Sequence, residues 1–261
     1  MLNYITYTNP HSTQWVTLIH GAGGSLSIWY KQMKAFKNEF NVLLVDLRGH
    51  GNSKLDLIKE PYSFDLVSND VIEVLDFLNI KSSHFVGISL GTILIRNLAK
   101  NHPKRVSSMI LAGAIMKLDI RSQVLMKLGV WLKDFIPYLI LYRFFAFIIM
   151  PKNNHKTSRK LFVDEAKKLD QKEFIKWFKL ASEINPLLKE FRNTDTHLKT
   201  LYIMGSEDHL FLESIHQLAS KFKDTELSVI ENSGHVVNVE KALVFNQKSI
   251  EYISKNQTMD N

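Results

Sequence analysis

Residues 85–93 read FVGISLGTI and place a serine, Ser89, between two glycines at plus and minus two. An apolar run precedes the serine, and a helical pattern over Leu90–Asn101 follows it. A strand, then G-x-S-x-G, then a helix is typical of a tight turn that lifts the serine hydroxyl above the strand's carboxyl end. A Cβ atom at Gly87 or Gly91 would collide with the neighbouring helix and strand. The stretch therefore predicts a serine at a sheet edge, beside the partial positive charge of a helix N-terminus.

The rest of the chain alternates short β-rich runs with helical patterns, which is typical of parallel strands joined by crossover helices. The predicted strands are Leu2–Tyr7, Gln14–His20, Asn41–Asp46, His84–Ile88, Val106–Ala112, Thr200–Met204 and Glu226–Ile230. The predicted helices are Ser25–Lys37, Asp65–Leu78, Leu90–Asn101, Leu212–Phe222 and Val239–Ser254. From Lys117 the pattern is helical and holds no convincing strand. We expect an α/β core of residues 1–116 and 198–261, with a helical cap, 117–197, inserted in it.

Composition narrows the class of protein. The 261 residues are 45% hydrophobic and 23% charged, which is typical of a soluble globular chain and not of a disordered one. The chain has no cysteine, which excludes disulfides, thiol chemistry and cysteine-ligated metals. The N-terminus lacks the pattern of a signal peptide. The longest apolar run, Tyr138–Met150, falls short of the roughly 20 residues that span a bilayer. We expect a cytoplasmic protein.

The formal net charge of +7 favours a dispersed basic surface, because the lysines are spread along the chain without an arginine-rich block. We expect no nucleic-acid partner. Weak attraction to anionic lipid stays open as a second interpretation. The sequence predicts no oligomeric state.

A serine hydroxyl is a poor nucleophile near neutral pH and needs a base. His235, in ENSGHVVNVE, follows the apolar strand LSVI and lies in a small loop after Gly234, where it can reach Ser89. We expect the other loop and terminal histidines to be solvated: His11, His102, His155, His197 and His216. The base in turn needs an acid. Asp208, in LYIMGSEDHLF, comes just after a strand, and Glu207 is the alternative.

Two further glycine-rich stretches follow predicted strands. In WVTLIHGAGGSLSIW, residues 15–29, a backbone N–H of the loop can join the Leu90 N–H in binding a developing oxyanion, worth about 3 kcal/mol for each donor. The alternative, a phosphate-binding loop, lacks the lysine and Ser/Thr of a P-loop. In VDLRGHGNS we expect Asp46, Arg48 and His50 to hold a loop together, outside the chemistry.

Taken together, HGAGGS, DLRGHGNS, GISLG, GSEDH and NSGHVVNVE resemble the α/β-hydrolase superfamily, above all its small prokaryotic carboxylesterases, enol-lactonases and carbon–carbon hydrolases. The resemblance implies a mostly parallel sheet with helices on both faces and a helical cap. It implies Ser89 as nucleophile, His235 as base and Asp208 as acid, with the amides of Ala22 and Leu90 as the oxyanion hole. It also implies no metal and no organic cofactor.

The sequence departs from this family in two places. Only about one strand fits before Gln14, where the family usually has two, so we expect a sheet without its first edge strand. The proline that often follows the acid is also missing, because the chain reads EDHLF from Glu207.

The inserted segment is the only guide to the substrate. Residues 124–150, VLMKLGVWLKDFIPYLILYRFFAFIIM, favour an apolar acyl or aryl pocket. Taken with this pocket, the resemblance implies a small-molecule carboxylic ester, lactone or thioester as the substrate. Helix packing alone would account for most of these residues. A membrane-facing cap, with weak peripheral contact, is a third interpretation, and its basic residues would be Lys127, Lys133, Arg143 and Lys152.

Two other functions stay open. A carbon–carbon hydrolase or lyase would keep the same three residues but need a polar pocket for a carboxylate, for which Arg96, Arg121 and Arg143 are the candidates. A ligand-sensing partner protein on the same fold would acylate without fast turnover.

Overall fold

The computed structural model describes residues 1–53, 61–118, 123–124, 131, 136–182 and 184–256. Within these residues, seven strands form one sheet in the order β1-β3-β2-β4-β5-β6-β7. The strands are β1 Tyr4–Tyr7, β2 Trp15–Ile19, β3 Asn41–Val45, β4 Ser83–Ile88, β5 Val106–Ala112, β6 Thr200–Gly205 and β7 Thr225–Ile230. The edge pair β1–β3 is antiparallel, and the other five pairs are parallel.

Helices cover both faces of the sheet. The bounds are α1 Tyr30–Glu39, α2 Phe64–Phe77, α3 Leu90–Asn101, α4 Tyr138–Ile149, α5 Lys156–Ala166, α6 Gln171–Ser182, α7 Asn185–Asn193, α8 Leu212–Ala219, α9 Val237–Glu240 and α10 Ala242–Lys255. Neighbouring residues of β2 divide between two cores: Leu18 packs with α1 and α10, and Ile19 packs with α2, α3 and α8. Strands β3 and β4 are buried along their whole length, which explains their continuous apolar sequence.

The fold predicted from the sequence is confirmed, with small differences at element ends. Each predicted strand is present, and one strand precedes β2 in the described sheet. The first predicted helix opens instead as a 3-10 turn at Leu26–Trp29 before α1. The last predicted helix is divided between α9 and α10, because Lys241 has φ −128° and ψ 50°, outside the helical region.

Helices α4 to α7 lie between β5 and β6 in the chain. An aromatic cluster joins α4 to α6, in which Phe174 stacks on Phe178 at 5.4 Å and Tyr138 lies 5.3 Å from Phe174. The Tyr142 hydroxyl donates to the carbonyl of Ala22 at 2.7 Å and so ties α4 to the loop after β2. The division into a core, 1–116 and 198–261, and a cap, 117–197, stays a prediction.

None of the helices in the described part of the chain is long and apolar enough to cross a membrane. Three of the basic residues singled out in the sequence, Arg121, Lys127 and Lys133, lie outside the described residues, as does much of 124–135.

Candidate active site

Ser89 lies in the sharp turn between β4 and α3. Its φ of 55° and ψ of −120° place a non-glycine residue in a region that costs on the order of 1–3 kcal/mol. A Cβ at Gly87 would lie 2.5 Å from Ile95 Cδ1, and a Cβ at Gly91 would lie 2.5 Å from the Ile19 carbonyl oxygen. The predicted collisions are therefore present, and the turn needs both glycines.

Ser89, His235 and Asp208 form one hydrogen-bonded chain, although they are distant in sequence. The Ser89 hydroxyl lies 2.9 Å from His235 Nε2, and His235 Nδ1 lies 2.8 Å from Asp208 Oδ2. A carboxylate only accepts, so Nδ1 carries the proton and Nε2 presents a lone pair to the serine. The His235 and Asp208 side chains are almost fully buried. The arrangement suits removal of a proton from Ser89.

The loops after β6 and β7 meet at the carboxyl edge of the sheet and carry Asp208 and His235. The Glu207 N–H donates to the Ser233 carbonyl at 2.9 Å, and the Ser206 N–H donates to the Ile230 carbonyl at 2.9 Å. Gly205 is needed here, because a Cβ would overlap the Ser233 carbonyl oxygen.

Glu207, the alternative acid, is directed away from His235. Its carboxylate accepts from Lys152 Nζ at 2.9 Å and from Asn154 Nδ2 at 2.7 Å. The hydrogen bond from Lys152, followed by that from Asn154, lowers the pKa of Glu207 below its ordinary value. The geometry therefore favours Asp208 as the partner of His235.

The prediction that His155 is solvated is wrong: its side chain is 1% exposed. Its Nδ1 lies 3.0 Å from Glu240 Oε1 and its Nε2 lies 3.0 Å from Glu207 Oε2. Glu240 Oε2 also accepts from the Gly234 N–H at 2.6 Å. His155 thus connects the start of α5 to both loops of the site. No local pattern revealed this, because the contacts join residues at least 52 positions apart.

The remaining histidines of that group differ in exposure. His11, His197 and His216 are exposed, and His102 is half-buried with its Nε2 3.1 Å from Asn69 Oδ1.

Ala22 and Leu90 both line the cavity that contains Ser89. Leu90 is the first residue of α3, so its N–H has no acceptor within the helix. The Ala22 loop is fixed on both sides, because Gly23 N–H donates to His50 Nε2 at 2.9 Å and Tyr142 donates to the Ala22 carbonyl. Burial, with a contribution from Glu165, raises the pKa of the Tyr142 hydroxyl well above its ordinary value, which keeps it a donor. The oxyanion-hole roles stay predictions.

The residues expected to be structural do hold the neighbouring loop. Asp46 Oδ1 accepts from the Leu26 N–H at 2.8 Å and its Oδ2 from the Asn52 N–H at 2.9 Å. The Arg48 guanidinium makes a bidentate pair with Asp70, at 2.7 and 2.5 Å. These contacts stiffen the loop beside the site entrance.

His20 and His50 lie beside each other, with ring centroids 5.0 Å apart and ring planes tilted by 57°. His20 Nε2 accepts from the Leu47 N–H at 2.9 Å, as His50 Nε2 does from Gly23, so both rings are neutral. Burial lowers the pKa of His20 to about 4. Burial, and then the neighbouring His20, lower the pKa of His50 to about 3.

The cavity beside Ser89 has a volume of about 170 Å³. Its walls include Tyr142, Phe145, Phe174, Trp177, Phe178 and Ile184 from the inserted helices. The Tyr142 hydroxyl donates its hydrogen bond to the Ala22 carbonyl, and the Trp177 indole N–H donates to the Arg48 carbonyl, so neither is free to donate to a substrate. No charged side chain lines the cavity among the described residues. The cavity can take an apolar group.

Groups of three or more residues that could hold a metal are absent from the described ranges. The expectation that the chemistry uses no metal or organic cofactor stays a prediction.

Comparison with known proteins identifies the family. The family model described as alpha/beta hydrolase fold matches residues 14–242, and the chain belongs to this family. The chain is 33% identical over 117 residues to 3-oxoadipate enol-lactonase 2 of Acinetobacter baylyi, covering 45% of this chain and 43% of that enzyme. Over 262 residues it is 23% identical to an uncharacterized carboxylesterase, nap, of Bacillus subtilis, covering 96% of this chain and 83% of that protein.

A solved structure agrees in fold. The enol-lactonase of Burkholderia xenovorans LB400 matches with a TM-score of 0.80 at 20% identity, covering 97% of this chain and 96% of that one. The chain spans about two fifths of the length of the two Acinetobacter baylyi enol-lactonases that it matches in sequence. The family and the fold are therefore shown.

The neutral state of His20 and His50 can be tested by titration. We expect the ring Cε1–H NMR shifts of both residues to stay constant from about pH 8 to pH 5. In the same range an unfolded histidine gains a proton, so the unfolding free energy should fall as the pH drops below about 6.5. His20→Gln and His50→Gln assign the signals. Titration of either ring above about pH 5 would contradict the neutral assignment.

Proposed function

We propose that the protein is a serine hydrolase that cleaves a carboxylic ester, lactone or thioester with an apolar acyl or aryl group. The observation that carries the proposal is the hydrogen-bonded chain from Asp208 through His235 to Ser89, which ends at a cavity with apolar walls. The matches to an enol-lactonase and a carboxylesterase support the same class of reaction.

In the proposed reaction, His235 Nε2 takes the proton of Ser89 as the hydroxyl attacks the substrate carbonyl. The N–H groups of Ala22 and Leu90 stabilise the developing oxyanion. His235 then gives its proton to the leaving oxygen, and an acyl-enzyme on Ser89 remains. Asp208 keeps the imidazole in the tautomer that presents Nε2 and stabilises the imidazolium. Water then hydrolyses the acyl-enzyme.

The positions of the side chains indicate where the two halves of the substrate lie. The leaving oxygen must lie near His235, which donates the proton to it. His235 does not line the large cavity, whereas Ala22, Ser89 and Leu90 do. The acyl group therefore fits the large apolar cavity.

The carbon–carbon hydrolase alternative needs a cation for a substrate carboxylate. Arg96 donates instead to the carbonyls of Phe191 and Thr194, at 2.8 and 3.2 Å. Arg143 is exposed on α4, and Arg121 lies outside the described residues. The apolar walls favour an ester substrate over one with a free carboxylate.

The nucleophile is tested by Ser89→Ala. We expect this variant to keep its unfolding temperature and to lose activity on p-nitrophenyl esters by at least about 10⁴-fold, because the remaining groups supply only a small part of the catalysis. A fluorophosphonate probe should label the native chain and not the variant. Ser107→Ala, on the half-buried part of β5, is the control. Labelling of Ser89→Ala would refute the assignment.

The apolar acyl pocket is tested with p-nitrophenyl esters of graded chain length. Each methylene that enters the cavity is worth about 0.8 kcal/mol, so we expect kcat/KM to rise about fourfold per methylene until the cavity is full. Ala181 lines the cavity, so Ala181→Phe should reduce the cavity volume. The acyl chain length with the highest kcat/KM should then become shorter. A kcat/KM that did not change with acyl chain length would argue against an apolar acyl pocket. One equivalent of acylation without turnover would instead favour the ligand-sensing alternative.

We also propose that this protein is cytoplasmic and binds weakly to anionic lipid through α4. Opposite the cavity, Ile140, Phe144 and Phe147 are each more than half exposed and lie at helical spacing. Residues 138–166 contain five Lys or Arg and two Asp or Glu, with Lys160 80% exposed on the adjacent α5. An apolar stripe beside basic side chains is typical of a helix that lies on an anionic surface.

Flotation with vesicles of neutral and anionic lipid tests this contact. We expect the native chain to float with anionic vesicles only and to be released by salt. Replacing Ile140, Phe144 and Phe147 with serine should abolish flotation. Phe77→Ser, at a 62% exposed phenylalanine of α2, should not change it. Lipid binding would be contradicted if the native chain stayed at the bottom of the gradient while the anionic vesicles floated. A change of oligomeric state in the triple variant would also contradict it.

A further inference from the structure

A second, smaller chamber lies on the His235 side of Ser89. It has a volume of about 20 Å³ and is lined by both of these residues and by Ser158, Leu161, Phe162 and Glu165 of α5. A chamber needs roughly 10–15 Å³ to hold one water molecule, and the water needs two to four polar partners. The chamber is therefore large enough for one water and too small for an acyl chain.

Besides Ser89 and His235, two polar residues line the chamber, Ser158 and Glu165, and both lie on the buried face of α5. Residues 158, 161, 162 and 165 follow the i, i+3, i+4, i+7 spacing of one helix face. Ser158 is 5% exposed, and within the part of the chain that the structure describes its hydroxyl makes no hydrogen bond. The hydroxyl is therefore free to form a hydrogen bond with a water molecule in the chamber.

Glu165 has acceptor capacity to spare. Its side chain is 10% exposed. Its Oε2 accepts from the Ser25 hydroxyl at 2.9 Å, and its Oε1 accepts from Lys168 Nζ at 2.6 Å. A carboxylate offers about four lone-pair sites, so about two remain. The two existing bonds hold the carboxylate at the chamber wall.

We propose that Ser158 and Glu165 hold the water molecule that hydrolyses the acyl-enzyme. This inference rests on the proposed function. Once Ser89 is acylated, it no longer donates to His235, and the Nε2 lone pair is free for a water in the chamber. His235 lines the chamber and not the large cavity, so attack comes from the chamber side. Ser158 and Glu165 orient that water.

The step balances in atoms and charge. The water oxygen bonds to the acyl carbon while His235 Nε2 takes one of its protons. The bond between the acyl carbon and Ser89 Oγ then breaks, and the proton on His235 passes to Ser89 Oγ. The product is a free carboxylic acid, and the enzyme returns to its starting state.

A carbamoylating ester, p-nitrophenyl dimethylcarbamate, separates the two half-reactions. Release of p-nitrophenol reports attack by Ser89, and the return of activity after the reagent is removed reports attack by water. We expect Ser158→Ala and Glu165→Gln to be carbamoylated within about twofold of the native rate and to regain activity about tenfold more slowly. The first change removes a hydrogen bond to the water, and the second replaces a charged acceptor with a weaker neutral one.

Neighbouring residues on α5 supply the controls. Thr157→Ala removes an exposed hydroxyl, and Asp164→Asn removes a half-buried carboxylate that pairs with Lys160 and Lys167. Both should regain activity at the native rate. Recovery of Ser158→Ala and Glu165→Gln at the native rate, or an equal loss in both half-reactions, would overturn the water site. A native chain that neither the carbamate nor a fluorophosphonate modifies would instead reject the proposed function.

Discussion

The close approach of α3 to the end of β2, which only a glycine at residue 91 permits, determines the geometry of the site. A Cβ there would lie 2.5 Å from one backbone oxygen and 2.8 Å from the next, and backbone atoms cannot move aside as a side chain can. Because α3 starts so close to the sheet, Ser89 must adopt a positive φ. The same approach brings Gly21 against Ser89, where a Cβ at Gly21 would lie 3.1 Å from Ser89 Cβ. The strained serine and the loop of Ala22 are thus placed by one packing contact.

The other two members of the site are positioned by contacts between loops. Burying a carboxylate and an imidazole costs several kcal/mol unless each is hydrogen-bonded. Asp208 Oδ2 and His235 Nδ1 bond to each other, while Asp208 Oδ1 has no hydrogen-bond partner in the described part of the chain. Each residue has an acidic neighbour that contacts His155: Glu207 beside Asp208, and Glu240 through the Gly234 N–H. His155 starts α5, so the position of this helix and the geometry of the two loops are coupled. A shift of α5 would therefore move the loop of His235 through the contacts of His155 with Glu207 and Glu240.

Much of this could be predicted from the sequence, because the signals are local. Short β-rich runs that alternate with helical patterns predicted the strands, and the five motifs lie at strand ends, where parallel strands bring side chains together. The contacts of the inserted helices could not be predicted. Helical spacing places Ser158 and Glu165 on one face of α5, but it does not say which face meets the core, since α5 carries polar residues all round. The burial of His155 depends on partners 52 and 85 residues away.

The inserted helices face Ser89 from two sides, and the side chains that they present differ in chemistry between the two sides. Helices α4 and α6 supply aromatic walls to the large cavity, while α5 supplies a hydroxyl and a carboxylate to the small chamber. Phe162 of α5 lines both spaces and so lies between the large cavity, where we propose that the acyl group binds, and the small chamber. Ser89, His235 and the amides of Ala22 and Leu90 lie outside α4 to α7. In the proposed reaction, exchange of side chains on α4 and α6 would therefore change which acyl group fits the cavity without disturbing those residues. In the reaction proposed above, exchange on α5 would instead change the rate at which water hydrolyses the acyl-enzyme, so the two properties could vary independently.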